Sequence, residues 1–251
     1  MELKFMKLNY RYFYLKLISF LFVGLIFTQS FGWQDNGVPV RQGAHIEWQR
    51  TGDVGDNGTT IFGWSDTRSG DRDIFAQKVN QQGDKLWGEN GLTVVQHSGR
   101  QEDPIFISDN DGGFYAIWSD FRNEPVSDGQ PYAQHISSEG ILSWDDSGIP
   151  LSDDKLTEFS LNLCKDGNGG AYAIWKKKTG GHYASYLNSS SIGPSSEIEV
   201  ISDDWSHSNP SLETSSGGDA VMVWKDERNE DTDLFGQRIG LDSDASNVIT
   251  K

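Results

Sequence analysis

The sequence has little of the residues that build disulfide frameworks, metal centres or nucleophilic sites. Cys164 is the only cysteine among 251 residues, which excludes a disulfide-stabilised fold. No serine elbow, phosphate loop or His-Glu-x-x-His motif is present. The five histidines show no spacing typical of a metal site, and they are His45, His97, His135, His182 and His207. These absences leave the sequence without a recognisable catalytic centre.

Helical periodicity is also missing. After residue 32, no window of a dozen residues carries an apolar stripe at helical spacing. The apolar runs are instead short, aromatic and β-branched, with Gly, Asp, Asn or Ser on either side. Cys164 ends one such run, Phe159–Cys164, and we interpret it as a buried apolar residue rather than a nucleophile. The sequence predicts an all-β fold.

The charge is strongly acidic, with a formal net charge of -16. Such a surface argues against nucleic acid and anionic membranes as partners. The acidic residues are spread along predicted loops, so a solvated surface explains them, with cation binding as the alternative.

Residues 1–32 differ from the rest of the chain. Four basic residues precede the apolar run Leu17–Phe27, and Ser30-Phe31-Gly32 follows it. This order is typical of a secretory signal peptide, and the run is short for a membrane span of about 20 residues. We expect a secreted or cell-surface protein whose mature chain has no membrane span, with an uncleaved N-terminal anchor as the alternative.

A motif centred on tryptophan recurs four times. Its tryptophans are Trp64, Trp118, Trp175 and Trp224, at intervals of 54, 57 and 49 residues. A second motif of the form Trp-x-x-x-Gly alternates with it, and its copies are 33–40, 87–94 and 144–151. Periods of about 40 to 50 residues with aromatic and glycine marks are typical of propeller blades and other β arrays.

The repeat predicts a β-propeller-like array of about four four-stranded blades. The predicted units are 42–96, 97–153, 154–203 and 204–251, with 33–41 as a leading strand that completes the final blade. Because residues up to Lys251 fall in or beside a strand, we expect this array to be the front part of a larger propeller.

The recurring polar residues are interpreted as structural, because an active site is built once and not once in each blade. An Asp–Arg pair and a Gln return in three units, and Arg binds carboxylates or carbonyls through its fork of donors. The set comprises Trp64, Asp66, Arg68, Gln77, Trp118, Asp120, Arg122, Gln134, Trp175, Trp224, Asp226, Arg228 and Gln237. Lysines and Ser185 replace the polar members in the third unit.

Few residues remain as candidates for binding. Asp71 and Asp73, or Asp109 and Asp111, form carboxylate pairs that would suit calcium, but tight hairpin turns explain the second pair better. Trp48 and Trp205 lie outside the main register and are the candidates for contact with sugar rings. No catalytic residue and no cofactor other than calcium is predicted.

The motifs resemble those of secreted bacterial β-propeller-like repeat proteins. The similar stretches are Trp64–Gln77, Gly83–Gly91, Gln101–Pro104 and Asp109–Gly113. The resemblance covers most of 33–251 and is weakest in the third unit. It implies a bacterial source and often a C-terminal type IX secretion sorting domain, which is not visible in this sequence.

These observations favour a non-catalytic module that binds or scaffolds a glycan or an extracellular protein. The first alternative is an extracellular glycan-active hydrolase on the same fold, which would need a non-repeating pair of carboxylates at the hub. The second is a purely structural display domain.

Overall fold

The computed structural model describes residues 33, 35–43, 47–122, 129–156, 160–191, 193–202, 210–229, 231–242 and 248–251. Only the main chain is described for Glu47 and Trp48. The predicted signal peptide, residues 1–32, lies outside the described residues. In the described part of the chain, no helix is both long and apolar enough to cross a membrane.

Four antiparallel sheets of four strands follow one another along the chain. Sheet 1 contains β1 (Glu47–Val54), β2 (Thr60–Asp66), β3 (Asp73–Val79) and β4 (Leu92–Val95). Sheet 2 contains β5 (Gln101–Ser108), β6 (Phe114–Asp120), β7 (Gln130–Ile136) and β8 (Ile149–Pro150). Sheet 3 contains β9 (Asn162–Lys165), β10 (Ala171–Lys176), β11 (His182–Leu187) and β12 (Ile198–Ile201). Sheet 4 contains β13 (Ser211–Thr214), β14 (Ala220–Asp226), β15 (Asp233–Leu241) and β16 (Val248–Thr250).

Each sheet is a simple meander in which strands adjacent in sequence are hydrogen-bonded. Apart from one 3₁₀ turn at Asp56–Gly58, the described residues contain no helix. The prediction of an all-β array with four four-stranded units is therefore confirmed.

The sheets stack face to face in a propeller-like order. Separate apolar cores lie between sheets 1 and 2, between sheets 2 and 3, and between sheets 3 and 4. The first strands contact one another in turn, β1 with β5, β5 with β9 and β9 with β13. The first strands therefore line the hub of the array, and the later strands of each sheet radiate from it.

The hairpin between the first and second strands shows why Asp, Asn and Gly recur at this place. In sheet 2, Asn110 has a φ of 61° and Gly112 a φ of 80°. These values lie in the left-handed region, which glycine and asparagine tolerate best. The amides of Asp111 and Gly113 each donate to Asp109 Oδ1 at 2.8 Å, so the aspartate holds the turn closed.

The segment 33–40, hereafter the leading segment, lies against sheet 1. The Trp33 ring is 6.2 Å from that of Phe62. The described residues of 33–43 form turns and irregular backbone rather than a strand. In sheet 4, the strand that pairs with β15 on its outer side is β16. That residues 33–41 complete the final blade as a leading strand remains a prediction.

Candidate functional site

Two residues at the hub have strained backbones at the same position of neighbouring sheets. Gln49 in β1 has a φ of 39° and Asp103 in β5 a φ of 54°. Both fall in β-bulges, where the pairing with the second strand shifts between Trp48 and Thr51 and between Glu102 and Ile105. A non-glycine residue at positive φ costs about 1–3 kcal/mol and persists where the surroundings hold it in place.

The two side chains hold each other. Gln49 Nε2 donates to Asp103 Oδ1 at 2.5 Å, and the Asp103 amide donates to Gln49 Oε1 at 3.0 Å. Ser65 Oγ also donates to Gln49 Oε1, at 3.1 Å. The bulges therefore turn an amide and a carboxylate toward each other between sheets 1 and 2.

A cavity of about 230 Å³ opens beside this pair. Its walls come from the first strands of sheets 1 and 2, from Ser119 in β6, and from Leu161 just before β9. The lining residues are Gln49, Arg50, Asp103, Pro104, Ile105, Ser119 and Leu161. The cavity therefore has an apolar wall and four polar groups, which are an amide, a guanidinium, a carboxylate and a hydroxyl. We call this set of residues the hub cavity.

The hub cavity was not predicted from the sequence, although one signal was available. Gln49 and Asp103 are 54 residues apart, which is the interval between Trp64 and Trp118. Two polar residues at one repeat position within the first strands mark a place where the strand pattern is interrupted. The bulge itself and the contact between the two side chains depend on how adjacent sheets pack.

The repeated Trp–Asp–Arg set forms a clamp in three sheets. The indole nitrogens donate to the next carboxylate at 2.8 Å from Trp64 to Asp66 and at 2.9 Å from Trp118 to Asp120. Trp224 and Asp226 make the same contact at 3.2 Å. Burial alone would raise the pKa of Asp66, but hydrogen bonds from Arg68 and Trp64 hold it below its usual value. These hydrogen bonds join residues within one sheet and do not link neighbouring sheets.

In sheets 1 and 2, the arginine and glutamine beside the clamp extend to the Trp-x-x-x-Gly motif of the same sheet. In sheet 1, Arg68 Nη1 donates to the Asn90 carbonyl and Gln77 Nε2 to the Gly88 carbonyl, both at 2.6 Å. In sheet 2, Arg122 Nη2 donates to the Ser147 carbonyl at 2.6 Å, and Gln134 Nε2 reaches the Asp145 carbonyl at 2.7 Å. The paired side chains therefore hold the main chain that leads into the fourth strand.

Sheet 3 reaches a similar result with other residues. Lys177 Nζ lies 3.8 Å from the ring centroid of Tyr183, as an arginine lies over an aromatic ring in the other sheets. It pairs with Asp154 at 2.8 Å and Glu197 at 2.5 Å. Ser185 Oγ donates to the Ser195 carbonyl at 2.7 Å. The third copy of the motif therefore keeps the cation over the aromatic ring, but the buried indole nitrogen of Trp175 has no hydrogen-bond partner among the described residues.

A Ser-His-Asp series occurs in sheet 2, and its surroundings indicate a structural role. His135 Nε2 lies 2.8 Å from Asp109 Oδ2, and His135 Nδ1 lies 2.8 Å from Ser143 Oγ. The same Asp109 closes the hairpin turn. In sheet 3, Asp166 closes the corresponding turn and accepts from Tyr186 Oη at 2.6 Å. Different donors at one repeat position indicate that the contact secures the turn.

The carboxylates considered for calcium lie apart in two groups. Asp73 Oδ1 accepts from the His97 amide at 3.1 Å, and Asp71 Oδ2 accepts from the Gly99 amide at 3.2 Å. Burial raises the pKa of Asp73. Asp109 and Asp111 lie in the turn of sheet 2. In the described ranges, no group of three or more His, Cys, Asp or Glu side chains is arranged to hold a metal ion.

Three other sequence candidates can be placed only in part. The side chain of Trp48 and the whole of Trp205 lie outside the described residues. Cys164 is buried between sheets 3 and 4, and burial raises the pKa of its thiol to about 12. A protonated, buried thiol is not a nucleophile at neutral pH.

No protein-family model matches the chain, and no curated protein is similar to it in sequence. Among solved structures, the chain is similar to a Penicillium chrysogenum α-L-arabinanase in complex with arabinobiose. The identity is 10%, the alignment covers 85% of this chain and 70% of that chain, and the TM-score is 0.50.

Two further structures show weaker similarity. A Dyadobacter fermentans protein of unknown function is 11% identical, with 83% and 69% of the two chains covered and a TM-score of 0.48. A glycosyl hydrolase from Bacteroides ovatus is 11% identical, with 82% and 71% covered and a TM-score of 0.41. At these identities the arabinanase similarity supports a shared propeller-type fold alone.

Proposed function

We propose that this chain acts on glycans and that the saccharide enters the hub cavity. The observation that carries the proposal is the strained, hydrogen-bonded pair of Gln49 and Asp103 beside that cavity. Backbone strain that the surrounding structure maintains is concentrated at functional sites. In sheets 1 and 2 the strain places an amide and a carboxylate where three sheets meet.

The chemistry of the cavity suits a sugar. Hydroxyl groups of a saccharide would bind the carboxylate of Asp103, the amide of Gln49 and the guanidinium of Arg50. The C–H face of the ring would pack on Ile105 and Leu161, which line the same cavity. A few polar groups on an apolar wall are typical of small-ligand sites. The arabinanase with the similar fold is itself described in complex with arabinobiose, which supports a glycan over a protein ligand.

In this proposal Asp103 is the general acid or base. A positioned carboxylate contributes about 10²–10⁴-fold to the rate of proton transfer. Glycoside hydrolysis generally uses two carboxylates. The cavity lining contains one carboxylate among the described residues. This count favours a second candidate function, glycan binding without hydrolysis, at the same site.

The test is a screen for binding and turnover with defined oligosaccharides, including arabino-oligosaccharides and manno-oligosaccharides. Calorimetry measures binding and the release of reducing ends measures hydrolysis. Asp103→Asn is expected to lower turnover by about 10²–10⁴-fold and to retain binding. Asp146→Asn, which changes an exposed carboxylate outside the cavity, is the matched control.

The outcomes separate the two functions. Turnover that depends on Asp103 supports action on glycans at the hub. Binding that Gln49→Ala weakens, without turnover, supports the second candidate. Absence of both across the screen, or activity unaffected by either substitution, would contradict the placement of the site.

A further inference from the structure

The side-chain amide of Gln49 is held in one orientation. Its oxygen, Oε1, accepts hydrogen bonds from the Asp103 amide at 3.0 Å and from Ser65 Oγ at 3.1 Å. Its nitrogen, Nε2, donates to Asp103 Oδ1 at 2.5 Å. A rotation of the side-chain amide by half a turn would set its NH₂ group against the Asp103 amide and its oxygen against a carboxylate. The two donors on Oε1 therefore fix the orientation in which Gln49 presents a donor to Asp103.

Ser65 is the buried end of this series of contacts. It lies in β2 between Trp64 and Asp66, which are joined by the 2.8 Å hydrogen bond of the clamp. Ser65 is 0% exposed. A buried hydroxyl keeps its protein partner because water does not reach it as a substitute. The second strand of sheet 1 thus supplies a fixed hydroxyl behind Gln49.

Serine is not required at this position of the second strand. The residue after the repeated tryptophan is a serine in sheets 1 and 2, at Ser65 and Ser119, but Lys176 in sheet 3 and Lys225 in sheet 4. All four sheets form this strand, whichever residue stands there. The hydroxyl occurs in the two sheets whose first strands carry the bulges beside the hub cavity. This distribution favours a role at the cavity over a role in the strand.

The two serines stand in different relations to the hub cavity. Ser119 lines the cavity, so a ligand bound there would contact its hydroxyl directly. Ser65 is not among the residues that line the cavity, and its hydroxyl reaches the site through Gln49. One repeat position therefore provides a serine that meets the ligand and a serine that acts only on the residues in front of it.

The rotation of the Asp103 carboxylate matters because a guanidinium lies in the same cavity. Arg50 follows Gln49 in β1 and also lines the cavity. Arginine binds carboxylates through two parallel hydrogen bonds, and such a pair would turn both oxygens of Asp103 away from a ligand. The hydrogen bond from Gln49 Nε2 holds Oδ1 instead. Gln49 therefore sets the direction in which the carboxylate faces.

We propose that Ser65 is a positioning residue for Asp103 and acts through Gln49. The inference rests on the proposed function, in which Asp103 is the general acid or base for a glycan. The Ser65 hydroxyl holds the Gln49 amide, and the amide holds the carboxylate at the angle from which it meets the glycosidic bond. The glycan itself does not touch Ser65. Removal of this hydroxyl therefore lowers the rate of turnover and leaves the affinity for the glycan unchanged.

The first test needs no glycan and observes the Gln49 side-chain amide by nuclear magnetic resonance. Its signals are assigned by their loss in Gln49→Met. In the unmodified chain the proton donated to Asp103 is expected to lie downfield and to exchange slowly with solvent, unlike the side-chain protons of the exposed Gln82. Ser65→Ala is expected to move the Gln49 signals toward those of Gln82 and to speed their exchange. Ser190→Ala, which changes an exposed serine, is the matched control.

The second test compares KM and kcat for an oligosaccharide that the unmodified chain hydrolyses. Ser65→Ala is expected to lower kcat by about 10–100-fold at an unchanged KM, because the carboxylate is misplaced while the cavity wall is intact. Ser65→Cys, whose thiol is a weaker donor, is expected to give a smaller loss of kcat. Ser119→Ala is expected to raise KM instead, because it removes a hydroxyl from the wall. Ser190→Ala is expected to change neither, and urea unfolding verifies that every variant is folded.

The outcomes separate this inference from the proposed function. A loss of kcat at constant KM in Ser65→Ala, together with displaced Gln49 signals, supports the inference. Unchanged signals, an unchanged kcat, or a rise in KM like that of Ser119→Ala would overturn it, while turnover that Asp103→Asn removes would still support action on glycans at the hub. Absence of turnover with every oligosaccharide would contradict both the inference and a hydrolytic function, whether or not the chain binds glycans.

Discussion

Asp66 shows how one buried carboxylate links several parts of a sheet. It accepts from the Trp64 indole and from the amide and guanidinium of Arg68, and its side chain is fully buried. These donors hold its pKa below the usual value of 3.8, although burial alone would raise it. A carboxylate whose pKa is lower in the folded state stabilises the fold above the pKa of the unfolded state.

This shift leads to a pH prediction. As the pH falls below about 4, the unfolded chain binds a proton at Asp66 before the folded chain does, so the free energy of unfolding falls. Urea titrations at pH 7, 4 and 3 measure that free energy. Asp66→Asn is expected to lower it at pH 7 and to weaken its dependence on pH. Asp146→Asn should change neither, and an unaltered pH profile in Asp66→Asn would contradict the role assigned to this residue.

At this scale the sequence predicts repeated contacts well and single ones poorly. Trp64, Asp66 and Arg68 are two residues apart in turn and recur, so a shared structural role follows from the pattern. Gln49 and Asp103 meet only because two bulges turn them toward each other across adjacent sheets. No local pattern specifies a positive φ at a glutamine. The repeat position is visible in the sequence, but the strain is not.

The packing of sheet 1 on sheet 2 depends on a glycine in β2. A Cβ atom on Gly63 would lie 2.2 Å from Phe106 in β5, closer than real Cβ atoms approach other atoms. Phe106 is 1% exposed and belongs to the core between these sheets. The close approach of the two sheets therefore requires the absence of a side chain at this position.

This contact predicts a double-mutant result. Gly63→Ala is expected to reduce the free energy of unfolding by about 1–3 kcal/mol, as overpacking of a core does. Phe106→Leu alone is expected to be destabilising because it removes buried ring atoms. In the double variant the loss should be smaller than the sum of the two, since the smaller side chain makes room for the methyl group. Urea unfolding of the four proteins gives the coupling, and strict additivity would contradict direct contact.

The strands of a unit were predicted because each has a simple local pattern. β6 and β14 are short apolar runs that begin after a turn with glycine and end at the clamp aspartate. The position of β16 was not predictable in the same way. The sequence Val248–Thr250 has the composition of a strand, but only the pairing register shows that it occupies a different position from β4 and β8.

At the scale of the whole molecule, the sheets are coupled through shared cores. Trp118 of sheet 2 is packed in the core that it shares with sheet 1, and Trp175 of sheet 3 in the core that it shares with sheet 2. Unfolding any inner sheet would expose two apolar faces. We therefore expect thermal unfolding of this chain to be a single cooperative transition.

Calcium is expected to leave that transition unchanged. The oxygens of Asp109 accept hydrogen bonds from the amides of Asp111 and Gly113 and contact His135, so both oxygens are engaged by protein groups in the turn of sheet 2. Asp71 and Asp73 accept from main-chain amides of the loop before β5. Calorimetric scans with calcium and with a chelator measure the effect. A ligand that binds only the folded state, present at 100 times its dissociation constant, would stabilise that state by about 2.7 kcal/mol. A rise in Tm that corresponds to a stabilisation of this size would show that the acidic loops hold calcium.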